Sequence, residues 1–257
     1  MTTMISWNWK PVGVDCGEDD QKGFAPECVA AAMQLARICE PVVFRVLNIA
    51  PRYPNSAISE FAAFINATEV ISVPLIKRAM ASRMEHGIAR NDVVSCFSKL
   101  LQVLHAEERM YIHGTYTVKC DCGTKLTTKW SHTFFSATIA AQARIICYKC
   151  LSVNPAAVNI ISVSDYLGVL DDGADLYPLS SFHGMCHGRE FREQLHAVAT
   201  VKIDSSNHIV ARVDNVRRKY SEIWITCGKN VRQDNSRNAM MPSSRATHDR
   251  RVMAIIM

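Results

Sequence analysis

The sequence predicts an α+β fold in which helices come first and strands follow. Helix formers with 3.6-residue apolar spacing dominate to about residue 108. From Met110 the pattern shifts to β-branched, alternating segments, and two close cysteine pairs stand just after that shift. With 257 residues, 48% of them hydrophobic, the chain is long enough to bury a substantial core as one large domain or two small ones.

The opening residues to about Gly23 mix Trp7, Trp9, Pro11, Gly13 and Gly17 with the acidic run Glu18-Asp19-Asp20, and read as extended or looping chain. A helix is predicted from Pro26, whose fixed φ suits a first turn, through Ile38, with Pro41 bounding its far end. Further helices are predicted over Ser56–Asn66, Pro74–Glu85 and Asp92–Glu108. The last places Val93, Phe97, Leu100, Leu101 and Leu104 at helical spacing. Strands are predicted over Met110–Lys119, Lys125–Phe134 and Val158–Val163. An antiparallel meander follows over Leu195–Ile203, His208–Val213 and Glu222–Thr226. Residues 232–257, rich in Asn, Ser and Arg, read as a flexible basic tail, although they end on the apolar Val252–Met257.

The formal charge of +5 is concentrated rather than spread. Five arginines against two aspartates from Arg232 onward supply +3, leaving +2 for the rest. That distribution forms no basic face and argues against nucleic acid as a partner. No run of about 18 apolar residues predicts a membrane span, and Met1-Thr2-Thr3-Met4-Ile5-Ser6-Trp7 lacks the features of an export signal. Ten cysteines in such a chain therefore read as metal ligands, buried thiols or a nucleophile rather than as a disulfide framework. The expected setting is reduced cytosol or nucleus, and the expected state a monomer.

Cys120-Asp121-Cys122-Gly123 and Cys147-Tyr148-Lys149-Cys150 are separated by 24 residues between the inner cysteines. Two short-spaced pairs on facing turns supply the four soft donors of a tetrahedral, structural zinc site. Gly123 permits the tight turn, and Lys119, Lys125 and Lys149 favour the thiolates. A four-cysteine site has no open position, so chemistry must lie elsewhere. Cys28 is the candidate nucleophile, because a helix N-terminus stabilises a thiolate. His208, opening a strand after the polar turn Asp204-Ser205-Ser206-Asn207, is the candidate base. A third polar group to orient its ring is sought at Asp214, Asn215, Asn230 or Asp234.

The order of these features resembles the ubiquitin-specific protease family of papain-like cysteine deubiquitinases, over roughly residues 11 to 231. Pro11-Val12-Gly13-Val14 resembles the family's opening step, and Cys28 with Gln34 its cysteine box. Lys119-Cys120-Asp121-Cys122-Gly123 is similar to its first finger knuckle. His196-Ala197-Val198 with His208-Ile209-Val210-Ala211-Arg212-Val213 resembles its histidine box, and Trp224-Ile225-Thr226-Cys227 the strand that leads to its acid. The resemblance implies a papain-like fold with a helical thumb (24–108), zinc-bearing β fingers (110–163) and an antiparallel β palm (177–231). It also implies ubiquitin or a ubiquitin-like protein as partner.

The implied activity is thiol isopeptidase chemistry. Cys28 attacks the carbonyl of the modifier's C-terminal glycine, His208 moves the proton, and backbone amides near Cys28 hold the oxyanion; with the family's aspartate absent, Asn230 or Asp214 is the candidate to orient His208. The sequence departs from the family pattern at several points. Extra residues separate Gly13 from Cys28, which makes Cys16 a competing nucleophile. Gln34 falls one position early, and Ser95-Cys96 replaces an acidic residue. Gly228, followed by Lys229, occupies the place of the aspartate, four after Trp224. These departures raise the alternative of an inactive scaffold of the same fold that binds ubiquitin or another protein.

Overall fold

The computed structural model describes residues 10–19, 22–132, 134–136, 143–164, 167–171, 182–186, 189–193, 197–203, 209–214, 223–234 and 252–256. The first element, β1 (Val14–Asp15), precedes α1 (Pro26–Ile38), α2 (Glu40–Ile49) and α3 (Ala57–Asn66). β2 (Ile71–Ser72), α4 (Pro74–Ala81) and α5 (Val93–Val103) complete the helical half. Helix α1 is its axis: every residue from Cys28 to Arg37 is buried, as expected of a helix covered on all sides. It packs against α2 and α5 and lies over part of the large sheet described below. Phe61, Phe64, Phe97, Leu100 and Leu101 fill the surrounding core.

Polar groups tie the helices together. The Arg37 guanidinium, buried in the core, donates to the carbonyls of Ile65 and Ala67 at 3.1 Å each, and stacks on Phe64 with 4.8 Å to the ring centre. It thus sets a cation on the C-terminal carbonyls of α3. Burial pulls its pKa down to about 10, which still leaves it charged at neutral pH. At the other end of α3, Ser56 and Ser59 form a reciprocal capping box. The Glu60 carboxylate accepts from the first amides of α4, Leu75 at 3.1 Å and Ile76 at 2.7 Å. Asp92 caps α5 through the amides of Val94 and Ser95.

Three predicted helix boundaries shift, and the first is α4, which ends at Ala81 rather than Glu85. Pro41 does not end α1; it sits in the first turn of α2, a further helix, where its missing N–H costs nothing. Helix α5 stops at Val103 rather than Glu108. His105 turns left-handed at φ 53°, and the Ala106 amide bonds back to the Leu101 carbonyl at 2.9 Å.

The strands follow as β3 (Ile112–Lys119), β4 (Lys125–His132), β5 (Phe134–Ser136), β6 (Arg144–Ile146), β7 (Val153–Pro155) and β8 (Ala157–Val163). Beyond them come β9 (Leu167–Asp171), β10 (Phe182–Cys186), β11 (Arg189–Glu193), β12 (Ala197–Ile203), β13 (Ile209–Asp214), β14 (Ile223–Cys227), β15 (Asn230–Asp234) and β16 (Val252–Ile256). A three-stranded antiparallel sheet has the order β4-β3-β8, and β6 with β7 forms a separate hairpin, as does β10 with β11. Gly114 of β3 lies directly opposite Trp130 of β4. A Cβ on Gly114 would stand 2.3 Å from the indole and 2.4 Å from the Asn159 carbonyl oxygen, so the position requires glycine.

The large sheet has seven strands in the order β15-β14-β13-β12-β16-β9-β5. Strands β12 to β14 form the predicted antiparallel meander, β15 extends it by a fourth strand, and α1 packs on β12, β13 and β14. Two stretches of the expected tail are strands instead. β15 runs on to Asp234, and β16 lies between β12 and β9. The physical reason is the composition of Val252-Met253-Ala254-Ile255-Ile256, an apolar and β-prone run that gains more from a sheet interior than from solvent. Among the described residues, no helix is long and apolar enough to cross a membrane.

Candidate functional site

The chain reaches α1 along a strand held on both sides. The Val14 amide donates to the Gly228 carbonyl at 2.9 Å, while the Ile71 amide donates to Gly13 and the Val73 amide to Asp15, each at 3.1 Å. A Cβ on Gly13 would lie 2.3 Å from the Lys229 carbonyl oxygen, so only glycine permits this approach. The Lys229 ammonium pairs with Asp15 at 2.9 Å, and the Asp15 carboxyl is held below its ordinary pKa by that contact and by the Gly17 amide. From the helix side, the Gln34 side-chain amide donates to the Val12 carbonyl at 2.5 Å. Gln34 therefore anchors the opening strand.

Cys28 is the third residue of α1 and has 0% of its surface exposed. Its backbone amide donates to the Ala25 carbonyl at 2.9 Å, so that N–H is committed to the first turn of the helix. Facing Cys28 is Cys96 of α5, also fully buried and in hydrogen-bonding contact with it. Burial first, and then the Cys28 sulfur, drives the Cys96 pKa well above the thiol range. Cys16 is buried as well, and desolvation pushes it up to about 12, with Lys77 acting weakly the other way. Apolar surroundings of this kind keep a thiol protonated and unreactive. Cys96 is the neighbour that sequence reasoning missed as a partner, although it stands beside Ser95 where the resemblance called for an acid.

The other candidates fall in the sheet region. Gly228 occupies the tight turn between β14 and β15 at φ 54°, with its carbonyl bound to Val14. Asn230 is exposed and pairs with Cys227 across that turn. Asp214 ends β13 opposite Ile223. His208 and Asn215 lie outside the described residues.

The four cysteines Cys120, Cys122, Cys147 and Cys150 do come together, with all sulfurs within 4.8 Å of one another. Separations within this quartet include 3.3 Å for Cys120–Cys150, 3.4 Å for Cys120–Cys122 and 3.7 Å for Cys122–Cys147. A tetrahedral centre with Zn–S bonds of about 2.3 Å has edges of about 3.8 Å, and a disulfide has about 2.05 Å. The donor set therefore fits one zinc ion and excludes disulfides at these separations.

Each pair sits in a turn closed by backbone. The Cys120 amide donates to Thr124 and the Gly123 amide to Cys120, both at 2.9 Å. The Cys147 amide donates to Ser152 at 2.9 Å and the Leu151 amide to Cys147 at 2.8 Å. The residue after the second cysteine is left-handed in both turns, Gly123 at φ 82° and Leu151 at φ 61°.

A shell of polar side chains surrounds the sulfurs, and only its position two residues past Cys122 and Cys150 hinted at it in sequence. Ser152 Oγ lies 3.2 Å from Cys120 and 3.1 Å from Cys150, and the Asn154 amide donates to Ser152 Oγ at 2.8 Å. Ser152, with the neighbouring Cys122 and Cys150, lowers Cys120 to about 6, and Thr124 lowers Cys122. Such partners orient metal ligands and favour their charged form.

No protein-family model matches the sequence, and no curated protein matches it. Solved structures do. The chain is similar to the pseudoubiquitin-hydrolase of Saccharomyces cerevisiae PAN2, with a TM-score of 0.66 at 14% identity, covering 97% of this chain and 88% of that one. It is also similar to the apo Saccharomyces cerevisiae Pan2 pseudoubiquitin hydrolase–RNA exonuclease module, with a TM-score of 0.64 at 13% identity. That match covers 97% of this chain but only 55% of the longer module. The same module in complex with AAUUAA RNA gives a TM-score of 0.65 at 12% identity, covering 97% of this chain and 54% of that one. The fold is therefore ubiquitin-hydrolase-like.

Proposed function

We propose that this chain is a catalytically silent module of the ubiquitin-specific-protease type that works as a scaffold, binding ubiquitin or another protein. On this reading α1 to α5 form the thumb, the seven-stranded sheet the palm, and the strands around the cysteine quartet the fingers, stapled by one zinc ion in a reduced cytosolic or nuclear setting. Zinc there supplies a rigid cross-link between two turns and no reaction chemistry.

The observation that carries the reading is the state of Cys28. A nucleophile must meet a carbonyl in a cleft, yet this thiol is wholly buried against Cys96, and its amide is spent on Ala25. Gly228, in the place of the acid, supports the same conclusion. Isopeptidase activity at Cys28 is the competing reading, favoured by its position in the first turn of α1.

The two are separated by treating the folded protein with ubiquitin bearing a C-terminal electrophile. The scaffold reading expects no adduct at Cys28. An adduct that disappears in Cys28→Ala would overturn it, and one that persists in that variant would assign the nucleophile to Cys16.

A further inference from the structure

Among the described residues, four of the six exposed large hydrophobic side chains fall within 146–153: Ile146, Tyr148, Leu151 and Val153. They belong to the β6–β7 hairpin and the cysteine turn at its tip. Ile146 and Val153 are directly opposite in register, so their side chains share one face. Arg144 and Pro155, the next opposed pair two residues on, lie on that face too, and all four are exposed. The alternate residues Ile145 and Asn154 are half-buried, and Asn154 reaches toward the Cys120 sulfur at 3.7 Å. The hairpin therefore has an inner face on the quartet and an apolar outer face on solvent.

Leu151 is the telling residue. Its φ of 61° brings Cβ close to the backbone and so disfavours leucine, and 74% of its surface is exposed, so burial returns nothing for the strain. The equivalent position of the first turn holds glycine, Gly123, the residue that the geometry favours. Folding thus explains Gly123 and leaves Leu151 unexplained.

Charge points to what covers the face. Lys119, Lys125, Lys129, Arg144 and Lys149 are exposed on the β3–β4 and β6–β7 hairpins, against a single acidic residue there, Asp121. Lys119 and Lys125 even stand directly opposite each other, an arrangement that costs stability without an anion to meet it. A zinc ion on four thiolates contributes a net charge of −2 at the centre, which leaves the surface positive.

We infer that the outer face of the second cysteine turn docks an acidic protein segment carrying apolar anchor residues, with Leu151 and Tyr148 as the centre of the contact. Protein fits this face better than nucleic acid: three of the four exposed side chains are aliphatic and offer no ring for a base to stack on. The inference gives the scaffold reading its partner class, yet it rests on a surface distinct from Cys28. Electrophile labelling and the binding test below therefore fail independently.

The test is selection from a displayed library of random 12-residue peptides against the zinc-loaded full chain. The expected winners carry Leu, Phe or Trp flanked by Asp and Glu. Their binding weakens about tenfold or more in Leu151→Asn and in Tyr148→Ser, and falls with added salt. Because asparagine accepts left-handed backbone, Leu151→Asn is expected to keep or raise the melting temperature while it loses binding. Three results would each overturn the inference: no acidic consensus, unchanged binding in Leu151→Asn, or a loss of zinc or melting temperature in that variant. Tighter capture of a single-stranded oligonucleotide than of any selected peptide would overturn it as well.

Discussion

Removing zinc from the quartet should loosen two turns and leave the helical half intact. The four amides that close the turns, those of Cys120, Gly123, Cys147 and Leu151, each bond within or beside a ligand pair at 2.8 or 2.9 Å. The continuous core runs through residues from Val12 to Met110 and contains none of the four cysteines. If opening a turn releases the metal, free zinc at about a thousand times its dissociation constant lowers the population of the open turn by about a thousandfold. Stripping the protein with a chelator should therefore speed hydrogen exchange of those four amides by about that factor. Amides inside α1 and α5 should change little, because their burial does not depend on the metal. Cys147→Ser, which removes a fully buried ligand, should reproduce the effect without chelator. Native mass spectrometry showing no bound zinc would refute the reasoning. So would equal acceleration across α1 and α5, since the quartet would then support the whole fold rather than its own turns.

Two further perturbations test the framework around Cys28. Gly13→Ala would drive a methyl group to 2.3 Å from the Lys229 carbonyl oxygen and 2.9 Å from Val70. It should cost about 2–4 kcal/mol in denaturant unfolding, and a cost near zero would mean that the opening strand is not clamped. The Cys16 thiol, raised by burial to about 12 from an ordinary value of 9.0, binds its proton more tightly in the folded state. Its contribution is therefore complete below about pH 9 and is lost as pH rises toward 12. One such proton gives a slope of about 1.4 kcal/mol per pH unit. The measured fall in stability between pH 9 and 11 should be shallower by about that slope in Cys16→Ala, and identical slopes would count against a buried, protonated thiol.

Local signals made most of the helical half legible. Pro26, Ser56, Pro74 and Asp92 each start a helix as their chemistry dictates. The quartet was legible because zinc demands a particular donor set and short spacings advertise it. Helix α2 was missed because Pro41 reads equally as a stop and as a first-turn residue. Only the packing of Val42, Val43 and Val46 decides between them. β16 was missed for a related reason: five apolar residues at a chain end have no local partner, and their strand neighbours lie far away in sequence. At the candidate site, spacing placed Cys28 at the start of α1, whereas its burial depends on α5, which begins more than sixty residues later.

The departures from the protease pattern are connected in space. Gly13 admits the Lys229 carbonyl, Gly228 accepts from Val14, Lys229 pairs with Asp15, and Gln34 holds Val12 from the helix side. The first three contacts pull the segment 12–15 onto the β14–β15 turn, and the Gln34 bond ties the same segment to α1. An aspartate at position 228 would keep the same backbone bond, but glycine meets the φ of 54° with less strain. The β14–β15 turn anchors the chain on its way to Cys28. A thiol behind such an anchor has its access set by packing, and burial holds the neighbouring Cys16 and Cys96 in the protonated state. Gly228→Asp alone therefore adds an acid without opening a path to Cys28, and activity is not expected to follow from it.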